Sequence, residues 1–350
     1  MNIGGIRKGR LNLITDVEDI LVGNAEDAGA RTGVTVILPG RRAVAAVDVR
    51  GGAPGTRETD ALDPSCLVEE VDGVVLSGGS VYGLDAASGV VSWLGARGRG
   101  FALGNSAMVA PVVPSAILFD LTNGGDKNWG EEPPYRALGR RACEQAGRSF
   151  ALGNAGAGFG ARAGMLKGGL GSASAVSAGG LTVGAIVAAN PFGSAIIPGS
   201  DRFWAAPYEM DGEFGGRGWP ERMEGLAARD PLEETKAAQT GMAGKVEGGN
   251  TTIGLVAVDA DLTPVEARRV AIMTQDGLAR AIRPVHAPVD GDVVFVLATG
   301  RVRLGTENRA GSVAALGSIA ADCLARAVAR GVYEAETLGD AESYRARYGR

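Results

Sequence analysis

Histidine is almost absent from this chain: there is one, His286, among 350 residues. A Ser-His-Asp triad would have to use it, and no Gly-x-Ser-x-Gly turn supplies the serine. Standing before Ala287-Pro288, His286 reads as a structural hydrogen-bonder. Cysteine is nearly as scarce. Cys66, Cys143 and Cys323 are odd in number and far apart, with no histidine or second cysteine at ligand spacing. That argues against a disulfide framework or a zinc site and leaves small, mostly buried thiols. No metal or cofactor is expected.

Positive charge is not in excess either. A net charge of −5 gives no basic footprint, so neither nucleic acid nor an anionic membrane is an expected partner. Long hydrophobic runs are missing: the stretch Val183 to Pro198 is interrupted by Asn190-Pro191 and is too short to span a bilayer. The opening residues, Met1 to Lys8, hold no continuous apolar segment of the secretory kind, and a cytoplasmic location is expected. Internal repeats and a clean linker are also lacking, and a single domain over residues 1–350 is expected. With 45% hydrophobic residues the chain has ample core.

What is abundant is glycine, 56 residues, far above the usual ~7%. These glycines have no collagen period and are interleaved with apolar runs, so they read as tight turns and close backbone approaches. The run Gly156 to Gly160 lacks the spacing and the downstream acid of a dinucleotide site. Strands are expected at Val34–Leu38, Ala43–Val47, Val74–Leu76, Ile117–Leu121, Leu181–Ala188, Thr252–Val258 and Val293–Leu297. Helices are expected at Ser80–Leu94, at Ala137–Ala146, from Thr263-Pro264 with Glu266 closing a capping box, and at Val313–Arg330 with Gly331 as the stop. This is helices on sheets, an α/β chain. Arg202 to Lys245, aperiodic and rich in charge and proline, reads as a surface excursion that leaves Asn250 accessible.

One stretch stands out. Gly248-Gly249-Asn250-Thr251-Thr252 leads into the apolar run Ile253 to Val258. A hydroxyl at the start of a strand, behind a bendable segment, suits attack on the preceding carbonyl. Cleavage would leave Thr251 as a new N-terminus whose amine serves as local base. The plain alternative is a glycine turn entering a strand. Asn190 breaks an apolar run and fits an amide donor to a developing oxyanion, or a turn before Pro191. Asp290 and Asp292, two apart, share one side of an extended segment, or simply flank a glycine turn. Lys167 precedes Gly168-Gly169 and reads by itself as a surface lysine; Tyr82 reads by itself as packing.

Gly249-Asn250-Thr251-Thr252 resembles the autocatalytic site of the DmpA-type aminopeptidases, peptidase family S58, which include β-peptidyl aminopeptidases and the nylon-oligomer hydrolase. Further segments resemble the same family: Ile14 to Val17, Val22 to Ala25 and Ala30 to Val36; Leu76 to Ala86; Lys167 to Ser174; Ala189 to Gly193; and Arg283 to Asp292. The resemblance implies a four-layer αββα sandwich of the N-terminal-nucleophile kind. It implies a precursor cut between Asn250 and Thr251 into an α chain (1–250) and a β chain (251–350), several αβ units assembling together. It implies an acyl-enzyme on Thr251 and substrates that are short peptides with a free amino end, β-peptides or ω-amino acid oligomers. Tyr82, Lys167, Asn190, Asp290 and Asp292 fall where it implies site residues, although the family often carries a second lysine near Met165. The rivals are an acyltransferase of the ornithine acetyltransferase type and a non-catalytic binding protein on the same fold.

Overall fold

The computed structural model describes residues 5–222, 225, 228–240 and 249–349. Strand β11 (Thr251–Ala260) is buried along its whole length, which is why its sequence from Ile253 to Val258 is continuously apolar rather than alternating. Its side chains still divide by parity: Ile253, Leu255 and Ala257 point into one core, Val256 and Val258 into another. Each fully buried branched or aromatic side chain of this kind contributes about 1.5–3 kcal/mol.

Around it runs a seven-stranded sheet in the order β1 (Ile6–Lys8), β9 (Gly169–Ser177), β10 (Thr182–Asn190), β11, β12 (Val293–Val302), β4 (Ala43–Val49) and β6 (Glu70–Val71). β11 pairs antiparallel with β10 and parallel with β12. A second sheet runs β2 (Ile20–Asp27), β3 (Thr32–Pro39), β7 (Val74–Ser77), β8 (Ser115–Ile117) and β5 (Thr56–Arg57). Leu76, Leu118, Ile186, Leu255 and Phe295 fill the space between the sheets. Helices α3 (Pro264–Ala281) and α4 (Arg309–Glu334) cover the outer face of the large sheet, and α1 (Ala86–Gly95) and α2 (Tyr135–Glu144) that of the small one. The result is the four-layer αββα sandwich expected. Thr263 and Glu266 form the anticipated capping box on α3.

Several local expectations are corrected. Gly331 does not stop α4, which continues to Glu334; a Cβ there would meet the Gly169 carbonyl, so the glycine serves a close helix-to-strand approach. β9 was not expected as a strand, because its glycines and small residues carry little strand propensity; they are needed where α4 lies against it. Residues 80–85 form a 3₁₀ turn before α1, since Gly79 (φ +83°) and Ser80 (φ +51°) bend the chain over the Tyr135 ring. The strand expected at Ile117–Leu121 is Ser115–Ile117, because Asp120 turns out of the sheet to accept from Thr32 and Gly79. The excursion is not all surface: Phe203, Ala205 and Phe214 enter the helix-side core, and Glu213 pairs with the buried Arg326 of α4. Asn250 is buried, not exposed. Gly248 and residues 241–247 of that stretch lie outside the described residues.

Candidate active site

Three strand ends meet at one end of the large sheet. Asn190 is the last residue of β10, and its register partner is Thr251, the first of β11. Asn250, just before, bridges in parallel to Asp290, which leads into β12. Thr251 and Asn190 share the parity of Ile253 and Ala188, so both look toward the space between the sheets. All four residues are almost wholly buried.

The Thr251 hydroxyl donates to the carbonyl oxygen of Asn250, the residue it follows. That oxygen also accepts from the Gly291 N–H at 3.0 Å. The Asn190 amide is fully committed. Its Nδ2 donates to the carbonyls of Phe119 (3.1 Å) and Gly249 (3.2 Å), and its Oδ1 accepts from the Arg162 N–H (2.9 Å) and Lys236 Nζ (3.1 Å). The Phe119 ring lies against Gly249, leaving no room for a Cβ there.

Parity also decides what faces the hydroxyl on the β12 side. The neighbour is Gly291, where a Cβ would stand 2.7 Å from Thr251 Oγ1. Asp290 accepts from the backbone N–H groups of Phe192 (2.9 Å) and Ala287 (3.0 Å). Burial, with the nearby Asp292 charge, pushes its pKa up to about 6. Asp292 accepts from Thr252 N–H at 2.8 Å and from the backbone and ring of His286. In the continuous chain, then, the two carboxylates hold the backbone on either side of the hydroxyl rather than the hydroxyl itself. His286 is a hydrogen-bonder, as expected, and its partner is a site carboxylate. The turn at residues 50–53 clasps the segment from outside, with Arg50 and Ala53 N–H groups on the carbonyls of Asp292 and Asp290.

Two lysines flank this cluster. Lys167 is fully buried, donates to the carbonyls of Gly158 (3.1 Å) and Gly168 (2.7 Å), and is pulled down to about pKa 7 by burial, against the attraction of Asp120. The neighbouring Gly168 packs on the Ala189 carbonyl, leaving no room for a Cβ. Lys236 was not expected. It is partly buried, donates to both Asn190 O and Oδ1 at 3.1 Å, and is lowered to about pKa 7 by burial, opposed by Asp290. Tyr82 is 46% exposed and its ring meets Trp129 edge-on. Trp129 lines a surface cleft with Asp27, Asp126 and Glu132. Among the described residues, no group of three or more His, Cys, Asp or Glu side chains is arranged to hold a metal ion.

A hydroxyl on its own preceding carbonyl, beside an amide and paired carboxylates at converging strand ends, narrows the chemistry to acyl transfer. The profile of peptidase family S58 matches residues 12–345. The chain belongs to peptidase family S58. Membership makes it a hydrolase of amide bonds. An uncharacterised aminopeptidase of Mycobacterium tuberculosis is 45% identical over 96% of this chain and 97% of its own length. A 6-aminohexanoate-oligomer endohydrolase of Kocuria sp. is 30% identical over 91% of this chain and 86% of its own. Among solved structures, the L-aminopeptidase D-Ala-esterase/amidase of Ochrobactrum anthropi, described as a variant of the N-terminal-nucleophile hydrolase fold, superposes with a TM-score of 0.70 at 23% identity. That match covers 95% of this chain and 89% of the other. A β-aminopeptidase of Burkholderia sp. gives the same TM-score and identity over 100% and 95%. The S58 match thus covers both sheets apart from β1, and all the converging strand ends.

Proposed function

We propose that this S58 hydrolase matures by cutting itself between Asn250 and Thr251 and then uses Thr251 as an N-terminal nucleophile. The observation that carries the reading is the Asn250 carbonyl, held between the Thr251 hydroxyl and the Gly291 N–H. Thr251 Oγ adds to the Asn250 carbonyl carbon, and the Gly291 N–H takes the charge that develops on oxygen. The C–N bond then breaks, the nitrogen gains the proton lost by the hydroxyl, and an ester remains. Water hydrolyses it to the Asn250 carboxylate and a free Thr251 amine.

In the mature form that amine is the base for its own hydroxyl. The Gly249 carbonyl, 3.2 Å from Asn190 Nδ2, marks where a substrate carbonyl would accept the same donor. Attack on a substrate amide or ester gives an acyl-enzyme on Thr251, which a second water resolves. The relatives' names favour peptides with a free amino end, β-peptides and ω-amino acid oligomers as the substrate class. Tyr82, Asp290 and Asp292 complete the proposed site. We place the enzyme in the cytoplasm as an assembly of αβ units.

The test is intact mass of the purified protein beside Thr251→Ala. Two fragments joining at Asn250/Thr251, absent from the variant, are expected. A single full-length species in both would sink the reading.

A further inference from the structure

Asn190 offers two chemically different faces, and which one meets the nucleophile is a matter of what surrounds it. A side-chain amide has one accepting oxygen and two donating hydrogens. Here the oxygen is met by two donors, the Arg162 N–H and the Lys236 ammonium, while the hydrogens meet two carbonyl oxygens. Turning the amide over would set its NH2 against an ammonium and an N–H, and its oxygen against two carbonyls. All four contacts would become repulsive.

Lys236 does more than touch the side chain. Its Nζ also donates to the Asn190 carbonyl, and its own N–H donates to the Phe192 carbonyl at 3.0 Å. The Phe192 N–H is held in turn by Asp290. The turn Asn190-Pro191-Phe192 is therefore gripped from one side by Lys236 and from the other by Asp290. We propose that Lys236 is a positioning residue: its ammonium fixes the Asn190 amide with the donating face toward the Gly249 carbonyl, the place assigned above to a substrate carbonyl. This rests on the reading of Asn190 as the oxyanion donor. No motif marks the lysine, which lies in the aperiodic segment ahead of the cleavage point.

The experiment is a double-mutant cycle on the processed enzyme with an amino-acid amide as substrate: wild type, Asn190→Ala, Lys236→Met and the pair. Lys236→Met should lower kcat roughly 10- to 100-fold with KM within about threefold, because orientation rather than binding is lost. The double variant should be no slower than Asn190→Ala alone, since the lysine acts only through the amide. Lys236→Gln, which keeps a donor on a shorter stem, should fall between Lys236→Met and wild type, and it replaces Lys236→Met in the cycle if that variant does not fold. A folded lysine variant with full kcat, or losses that multiply in the double variant, overturns the inference. An Asn190→Ala enzyme as active as wild type overturns the oxyanion reading, and the inference with it.

Discussion

Two buried polar regions of this molecule look alike and behave differently. At the strand ends, Thr251 donates to the Asn250 carbonyl, Asn190 to those of Phe119 and Gly249, and Asp290 accepts from backbone N–H groups, with Lys236 on Asn190. Near the glycine-rich turn at residues 77–83, Asp120 accepts from Thr32 and Gly79, Tyr135 reaches Thr32, and Lys167 sits in the field of Asp120. Each region holds a lysine lowered to about pKa 7 and an aspartate raised to about 6, and burial is the leading cause in all four. A perturbed pKa therefore does not separate them. Contacts do: the first region holds a hydroxyl against a carbonyl it can attack, and the second closes on itself.

Substitutions can break that division or sharpen it. The largest effect belongs to Thr251→Ala, which should stop cleavage and lower amidase activity at least about 10⁴-fold, read by intact mass and initial rates. Asn190→Ala should lower kcat about 10²- to 10³-fold, the cost of one oxyanion donor. Gly291→Ala would drive a Cβ to 2.7 Å from Thr251 Oγ1 and 2.6 Å from the Ala53 carbonyl. It should slow processing in a gel time course about tenfold or more and cost roughly 1–3 kcal/mol in denaturant melts.

Lys167→Met should act on stability, and through pH. Below pH 7 the lysine is charged in folded and unfolded chains alike, and its burial costs the fold in full. Between about 7 and 10.5 the folded chain sheds the proton and the unfolded chain keeps it, so wild-type stability rises with pH. Wild type should thus gain on Lys167→Met from pH 7 to 9, by up to about 1.4 kcal/mol per pH unit. A Lys167→Met enzyme that is equally stable at both pH values, yet loses kcat once processed, would move Lys167 into the first region and erase the contrast.

The sequence shows the first region better than the second. Thr251, Asn190, Asp290 and Asp292 were legible because each interrupts or opens an apolar strand, where a polar side chain needs a reason. Phe119 and Lys236 were not: a phenylalanine in an apolar run and a lysine in a charged, aperiodic segment carry no local signal. Only the fold brings them to Asn190. The turn at residues 50–53 likewise clasps Asp290 and Asp292 through backbone groups that any sequence would supply. Tyr82 drew notice through its glycine neighbours. Those glycines answer to Asp120 and Tyr135 instead: Gly78 leaves space for the Asp120 carboxylate and Gly79 for the Tyr135 ring. Helices on sheets are readable from strand and helix periodicity and the four layers only from the family resemblance, while β9 is hidden because close packing against α4 demands the small residues that look least like a strand.

The position of β12 carries a consequence for how the chain is born. β12 lies between β11 and β4, with Val293 opposite both Ile253 and Val49. Synthesis runs from the N-terminus, so Asn250-Thr251 leaves the ribosome before Gly291 exists, and the large sheet stays open until β12 arrives to join an early strand to a late one. Arg326 on α4, which ties Asn12, Ser174 and Glu213 together, comes later still. The groups proposed to activate the bond are thus delivered after the bond itself. If the proposed self-cleavage occurs, the order of translation works as an interlock, and a truncated chain would carry the bond without the means to cut it.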